Sequence, residues 1–177
     1  MTLNLKNLLN PKIKGSKMGE FQELQPIAGL QISAVSADLY GDGRDDLSLF
    51  YFPRGANFAA VYTSSKITST NINWNLKIKR HFVKALMVNT QNANAFTGVK
   101  GAQGLKEIAH SLSKALTLKS SQSPKGIDDI VKITDLLFAS TGVIGEEFPH
   151  TKIKNTIPEL VKKLRIEQNK YVWFKAA

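Results

Sequence analysis

Apolar and polar positions alternate with the two-residue period of a half-buried strand over residues 29–36, and again over 46–52, where Leu47, Leu49 and Tyr51 share one face. Between them, Gly41-Asp42-Gly43 is a turn signal. Residues 58–63 form a short apolar run, with Pro53 and Gly55 before it and Ser64-Ser65 after it, which predicts a buried strand. A further buried strand is predicted over 83–88, feeding straight into an asparagine-rich segment that ends at Thr97-Gly98. The period then changes. Leu105, Ile108, Ala109, Leu112, Ala115 and Leu116 recur at three- and four-residue spacing, the stripe of a helix with one face on a core. Residues 120–126 are loop by composition. Leu136-Leu137-Phe138-Ala139 then enters Ser140-Thr141-Gly142, so the Thr-Gly pair is expected where a strand ends in a turn. Ile153, Ile157, Leu160, Val161 and Leu164 return to helical spacing, with Pro158 near the expected helix start and a capping-box-like Thr156-x-x-Glu159. Alternating strands and helices without an internal repeat predict a mixed α/β or α+β fold. With 177 residues, 42% of them hydrophobic, one domain over 1–177 is expected.

Composition narrows the chemistry. There is no Cys and only three scattered His, which removes thiolate chemistry and predicts no metal site. Residues 1–14 carry Leu3, Leu5, Leu8 and Leu9, but Asn, Lys and Pro11 interrupt them, so no signal-peptide core is expected. No stretch approaches the ~20 apolar residues of a membrane span. A cytoplasmic protein without a membrane partner is the expectation. The net charge of +10 comes from 20 Lys against 4 Arg, spread through Lys77, Lys79, Lys84, Lys152, Lys154, Lys162 and Lys163. No aromatic residues interleave with them as in a base-stacking platform, so a solvated basic surface is expected and no nucleic acid.

Three local motifs carry possible chemistry. Asp38-Leu39-Tyr40-Gly41-Asp42-Gly43-Arg44-Asp45-Asp46 looks like a calcium loop, but Tyr40 and Leu49 stand where an EF-hand has an oxygen ligand and its final Glu. It predicts a plain hairpin turn. Asn89, Asn92 and Asn94 follow a buried strand directly, although each buried amide needs hydrogen-bond partners. They either cap the following helix or form the polar wall of a substrate pocket, and spacing leaves both open. Ser140-Thr141-Gly142, followed by Val143-Ile144-Gly145, is either a flexible turn or a hydroxyl and an exposed N–H that hold a developing oxyanion.

Read together, Asp46-Leu47-Ser48-Leu49, Ala60-Val61-Tyr62-Thr63, Lys84-Ala85-Leu86-Met87-Val88-Asn89, Asn92-Ala93-Asn94-Ala95-Phe96-Thr97-Gly98 and Ala139-Ser140-Thr141-Gly142-Val143-Ile144-Gly145-Glu146 resemble the N-terminal, α-chain portion of the ornithine acetyltransferase (glutamate N-acetyltransferase) family of arginine biosynthesis. The resemblance runs over roughly residues 15–177. Thr90-Gln91 stands where the family commonly has Ser-Gly, and residues 120–134 are somewhat long. The resemblance implies an α/β/β/α sandwich, incomplete here, and a precursor that cleaves itself into α and β chains. It further implies acetyl transfer from N-acetylornithine to glutamate through an acetyl-threonine on the β chain, with acetyl-CoA a possible second donor and no cofactor. Thr141 and Gly142 become the oxyanion hole, and Asn89, Asn92 and Asn94 are carried over as pocket-forming residues. The complete assembly is expected to be a heterotetramer of α and β chains. The family's Thr-Thr-Asp, Lys-Gly-Ser-Gly and Ala-Thr junction segments are absent, and the last Thr is Thr156. No nucleophile is therefore expected in this chain, which alone should be inactive. The alternative is a non-catalytic binding or structural domain descended from such an enzyme.

Overall fold

The computed structural model describes residues 24–121 and 130–176. Among them, strands β1 (Gln31–Val35), β2 (Leu47–Asn57), β3 (Phe82–Asn89) and β4 (Leu136–Ser140) form one sheet in that order. The helices are α1 (Thr70–Asn75), α2 (Gly98–Ser120), α3 (His150–Lys162) and α4 (Lys170–Ala176), and a 3-10 turn, Ile133–Asp135, leads into β4. β1–β2 and β2–β3 are antiparallel, whereas β3–β4 is parallel. A parallel pair needs a crossover rather than a hairpin, and α2 lies in that connection. The α+β class expected from the sequence is borne out.

Period-two alternation decides which side of the sheet is buried. Leu47, Leu49 and Tyr51 of β2, Ala85 and Met87 of β3, and Leu136 and Phe138 of β4 all face one cluster. The α2 stripe of Leu105, Ile108, Leu112 and Leu116 and the α3 stripe of Ile153, Ile157 and Leu160 complete that cluster, each residue wholly buried. A fully buried aliphatic side chain of this kind contributes about 1.5–3 kcal/mol. Gly104 permits the close crossing of the two helices, because a Cβ there would lie 2.7 Å from the Cβ of His150.

The opposite face is covered unevenly. Val172, Trp173 and Ala176 of α4 pack on Leu30, Ile32, Phe50 and Phe52, with the Phe50 and Trp173 rings 6.2 Å apart. Further across the same face, Leu86 opposes Phe50, Leu137 opposes Leu86, and Ala139 opposes Val88. Leu86, Val88 and Leu137 are half-buried and Ala139 is exposed.

Four sequence expectations change. Residues 58–63 are not a buried strand: after Phe58 donates to His81 O the chain leaves the sheet, no strand lies beside it among the described residues, and Val61 is 98% exposed. α3 starts at His150, so Pro158 is inside the helix and Thr156 is no cap; its hydroxyl donates to Lys152 O one turn back. Lys84 is buried rather than part of a solvated surface, and its ammonium donates to Ile130 O at 3.1 Å. α1 has no counterpart in the hydrophobic pattern, because its inward face sets a single Trp74 beside the polar Asn71 and Asn75. Most of the loop expected over 120–126 lies outside the described residues. The turn at Gly41 and Gly43 is present, and the buried Asp46 carboxylate pins it by accepting the N–H groups of Ala37 and Leu39, both at 2.6 Å.

Candidate functional site

Asn89 and Ser140 are the last residues of β3 and β4 and are paired in the parallel ladder. Both chains continue side by side beyond the strands. Thr141 N–H donates to Asn89 O at 3.1 Å, Val143 N–H to Gln91 O at 2.8 Å, Ala93 N–H to Val143 O at 2.9 Å and Gly145 N–H to Ala95 O at 2.9 Å. Gly142 lies between the Thr141 and Val143 donors, and among the described residues no acceptor meets its N–H. The Thr141 hydroxyl likewise has no partner among them, and both residues are exposed. Two adjacent donors are thus held by a rigid ladder and left open to a ligand.

Gly142 is required by space as well as conformation. Its φ is +134°, and a Cβ there would lie 2.1 Å from the Gln91 carbonyl carbon. The facing segment is strained too: Gln91 (φ 76°), Asn94 (φ 48°) and Phe96 (φ 58°) all adopt left-handed backbone, at an order of 1–3 kcal/mol each.

The three asparagines support this strained segment from within. Asn89, Asn92 and Asn94 are 2%, 1% and 0% exposed. Asn92 accepts the Asn94 N–H at 2.8 Å and donates to Glu146 O and Glu147 O, tying the segment to the loop after Gly145. Asn89 donates to Asn92 O at 2.9 Å and accepts from Ser140 Oγ at 2.6 Å. Asn94 donates to Asn71 Oδ1 at 3.1 Å and accepts from Thr97 Oγ1 at 2.7 Å. The sequence therefore marked out three buried side chains of one hydrogen-bonded network, in which Asn89 meets Ser140 directly and Asn94 reaches it through Asn71. It passed over Asn71, a buried residue of α1, and Ser140 as a partner in its own right. Nothing local signals Asn71; its burial depends on a strand 65 or more positions away.

The polar groups at this site are amides and hydroxyls, none of which titrates near neutrality. Among the described residues, no three His, Cys, Asp or Glu converge on a possible metal position. An open groove of about 1220 Å³ lies alongside α1 and the start of α2, bordered by Trp74, Phe96, Val99, Lys77 and Lys106, but Thr141 and Gly142 do not line it.

The ArgJ family model matches residues 31–176. The chain is 33% identical over 152 residues to the arginine biosynthesis bifunctional protein ArgJ of Bartonella quintana, covering 85% of this chain and 34% of that protein. It is 31% identical over 154 residues to the ArgJ protein of Caulobacter vibrioides, covering 83% and 34%. The chain thus spans about a third of the length of these curated relatives. Its fold is shared with the crystal structure of the ArgJ protein of Bacillus halodurans (TM-score 0.70, 22% identity, 88% of this chain and 77% of that chain). It is shared also with the ornithine acetyltransferase of Mycobacterium tuberculosis, solved in complex with ornithine (TM-score 0.68, 21% identity, 82% and 75%). Among the described residues no helix is long and apolar enough to cross a membrane.

Proposed function

Since this chain belongs to the ArgJ family, we propose that it is the α-chain portion of an arginine-biosynthesis acetyltransferase that moves acetyl from N-acetylornithine to glutamate. Thr141 and Gly142 form the oxyanion hole. The observation that carries this reading is the pair of unmet donors, the Thr141 hydroxyl and the Gly142 N–H, held at the end of β4.

The chemistry follows from where charge develops. A threonine hydroxyl supplied by a partner β chain of the same precursor attacks the acetyl carbonyl carbon of N-acetylornithine. Its proton passes to that threonine's own amine, and the carbonyl π pair moves onto oxygen. The resulting oxyanion is stabilised by donors already in place, which need no reorganisation at the moment of reaction. Collapse breaks the C–N bond, the proton goes to the departing amine, and ornithine leaves behind an acetyl-threonine. Attack by the amine of glutamate repeats the sequence in the second half. Acetyl-CoA fits the same scheme as an alternative donor with a thiol leaving group. Asn89, Asn92 and Asn94 form the rigid back of this pocket, holding its wall from behind.

The test is Thr141→Ala in the full-length polypeptide. Loss of one oxyanion donor costs ~10²–10³ in turnover, so transfer should slow by that factor while the melting temperature stays unchanged. Turnover close to wild type would remove Thr141 from the oxyanion hole.

A further inference from the structure

α1 has only six residues, yet it presents one working face. Asn71, Trp74 and Asn75 lie at i, i+3 and i+4, a spacing that aligns side chains on one side of a helix. Each reaches β4. The Trp74 indole donates to Leu136 O at 3.0 Å. Asn75 donates to Phe138 O at 2.9 Å and accepts the Phe138 N–H at 3.1 Å. Asn71 donates to Ser140 Oγ at 2.5 Å. Trp74 and Asn75 satisfy the backbone edge of β4, as an uncovered edge requires. Asn71 does something different, because it meets a side chain next to the Thr141–Gly142 pair.

The bonds through Asn71 run head to tail. Thr97 Oγ1 donates to Asn94 Oδ1, Asn94 Nδ2 to Asn71 Oδ1, Asn71 Nδ2 to Ser140 Oγ, Ser140 Oγ to Asn89 Oδ1, and Asn89 Nδ2 to Asn92 O. Each member donates in the same direction, so every link fixes the orientation of the next and the links polarise one another. Gly101 leaves room for the start of this chain: a Cβ there would lie 1.9 Å from Thr97 Oγ1 and 2.5 Å from Asn94 Oδ1. Thr97 precedes α2 but makes no side-chain cap bond to it. Asn71 is the link that joins the α2 end of the chain to the strand ends.

We infer that Asn71 is a positioning residue for acetyl transfer, setting the Thr141–Gly142 donors through the Asn94–Asn71–Ser140–Asn89 hydrogen-bond chain. The inference rests on the oxyanion reading above. Ser140 has the Asn71 amide on one side and the Asn89 carbonyl on the other, so its side chain occupies one place. The peptide that follows it carries the donors. An oxyanion hole acts only when its donors stand where the charged oxygen will be, and a misplacement of about 1 Å costs as much as 10² in rate.

The experiment is a steady-state cycle on the full-length polypeptide with Asn71→Ala, Ser140→Ala and the double variant, using N-acetylornithine and glutamate. Each single variant should lower kcat by about 10- to 10²-fold, with KM for N-acetylornithine within about twofold of wild type, because the donors engage the oxyanion rather than the bound amide. The double variant should be no slower than the slower single variant, since both break one link. A kcat within about twofold of wild type in Asn71→Ala, multiplicative losses in the double variant, or a loss appearing in KM alone would overturn the inference. Should Asn71→Ala fail to fold, Asn71→Asp keeps the shape while replacing the donor to Ser140 by an acceptor, and the same thresholds apply to it. Full turnover in Thr141→Ala would retire the oxyanion reading itself. A slow Thr141→Ala beside an unimpaired Asn71 variant would retire only the role of Asn71.

Discussion

A methyl group at position 142 would meet the Gln91 carbonyl carbon at 2.1 Å, and L side chains rarely adopt its φ of +134°. The same closeness that brings the two strand-end segments together therefore demands glycine at the position proposed to donate to the oxyanion. Gly142→Ala should push the two segments apart, at a cost of about 1–3 kcal/mol for strained backbone. The measurement is hydrogen exchange at the Thr141 and Val143 amides, which bond to Asn89 O and Gln91 O and should lose protection. Unchanged protection at both would show that the ladder tolerates a side chain there. Thr141→Ala differs, because it removes a hydroxyl that makes no internal bond and should act on turnover without loosening the segment.

Between elements, one ion pair ties α2 to α3. Lys154 Nζ lies 2.8 Å from Glu107 Oε2. The hydrogen bond from Lys154, and then its charge, hold the Glu107 carboxyl below its ordinary value of 4.5. A carboxyl lowered in the folded state adds stability that is present above its unfolded pKa and fades as pH falls through the lowered one. That window therefore lies below pH 4.5, and the effect is small because both side chains are more than a third exposed. Lys154→Met should return the Glu107 carboxyl towards 4.5 in a carbon-detected NMR titration. A titration unmoved by the substitution would mean that the pair is not formed in solution. α1 shows the opposite strategy, in which a helix too short to bury a stripe holds β4 by side-chain hydrogen bonds.

Among the described residues, helices seal one face of the sheet and cover the other only in part. α4 covers the β1–β2 side, while Leu86, Val88, Leu137 and Ala139 continue the same face half open. In the α/β/β/α sandwich that the sequence resemblance implies, a second sheet would lie on that face. The 177 residues alone should then show no transfer from N-acetylornithine to glutamate and should bind a hydrophobic dye such as ANS. A full-length polypeptide should lose most of the dye signal and gain turnover. Dye binding equal in the two, or transfer by the 177 residues alone, would count against the arrangement.

Period-two alternation placed β1 and the first part of β2, short apolar runs placed β3 and β4, and three-to-four spacing placed the buried stripes of α2 and α3, because burial is written into residue spacing and composition. The same spacing put Ser140-Thr141-Gly142 at a strand end and marked Asn89, Asn92 and Asn94 as unusual. Tertiary structure decided the rest. Residues 58–63 had the composition of a strand, but a strand needs a neighbour, and no local pattern supplies one. Pro158 looked like a helix start until packing of Ile153 against the core set the start at His150. Asn71 became part of the site only when α1 was laid along β4, since a hydrogen bond between positions 71 and 140 is a property of the folded chain. That the Gly142 N–H meets no acceptor among the described residues is likewise known only once the segment after β4 is laid beside residues 89–95. Local physics could read periodicity, whereas partners distant along the chain exist only after folding has brought them together.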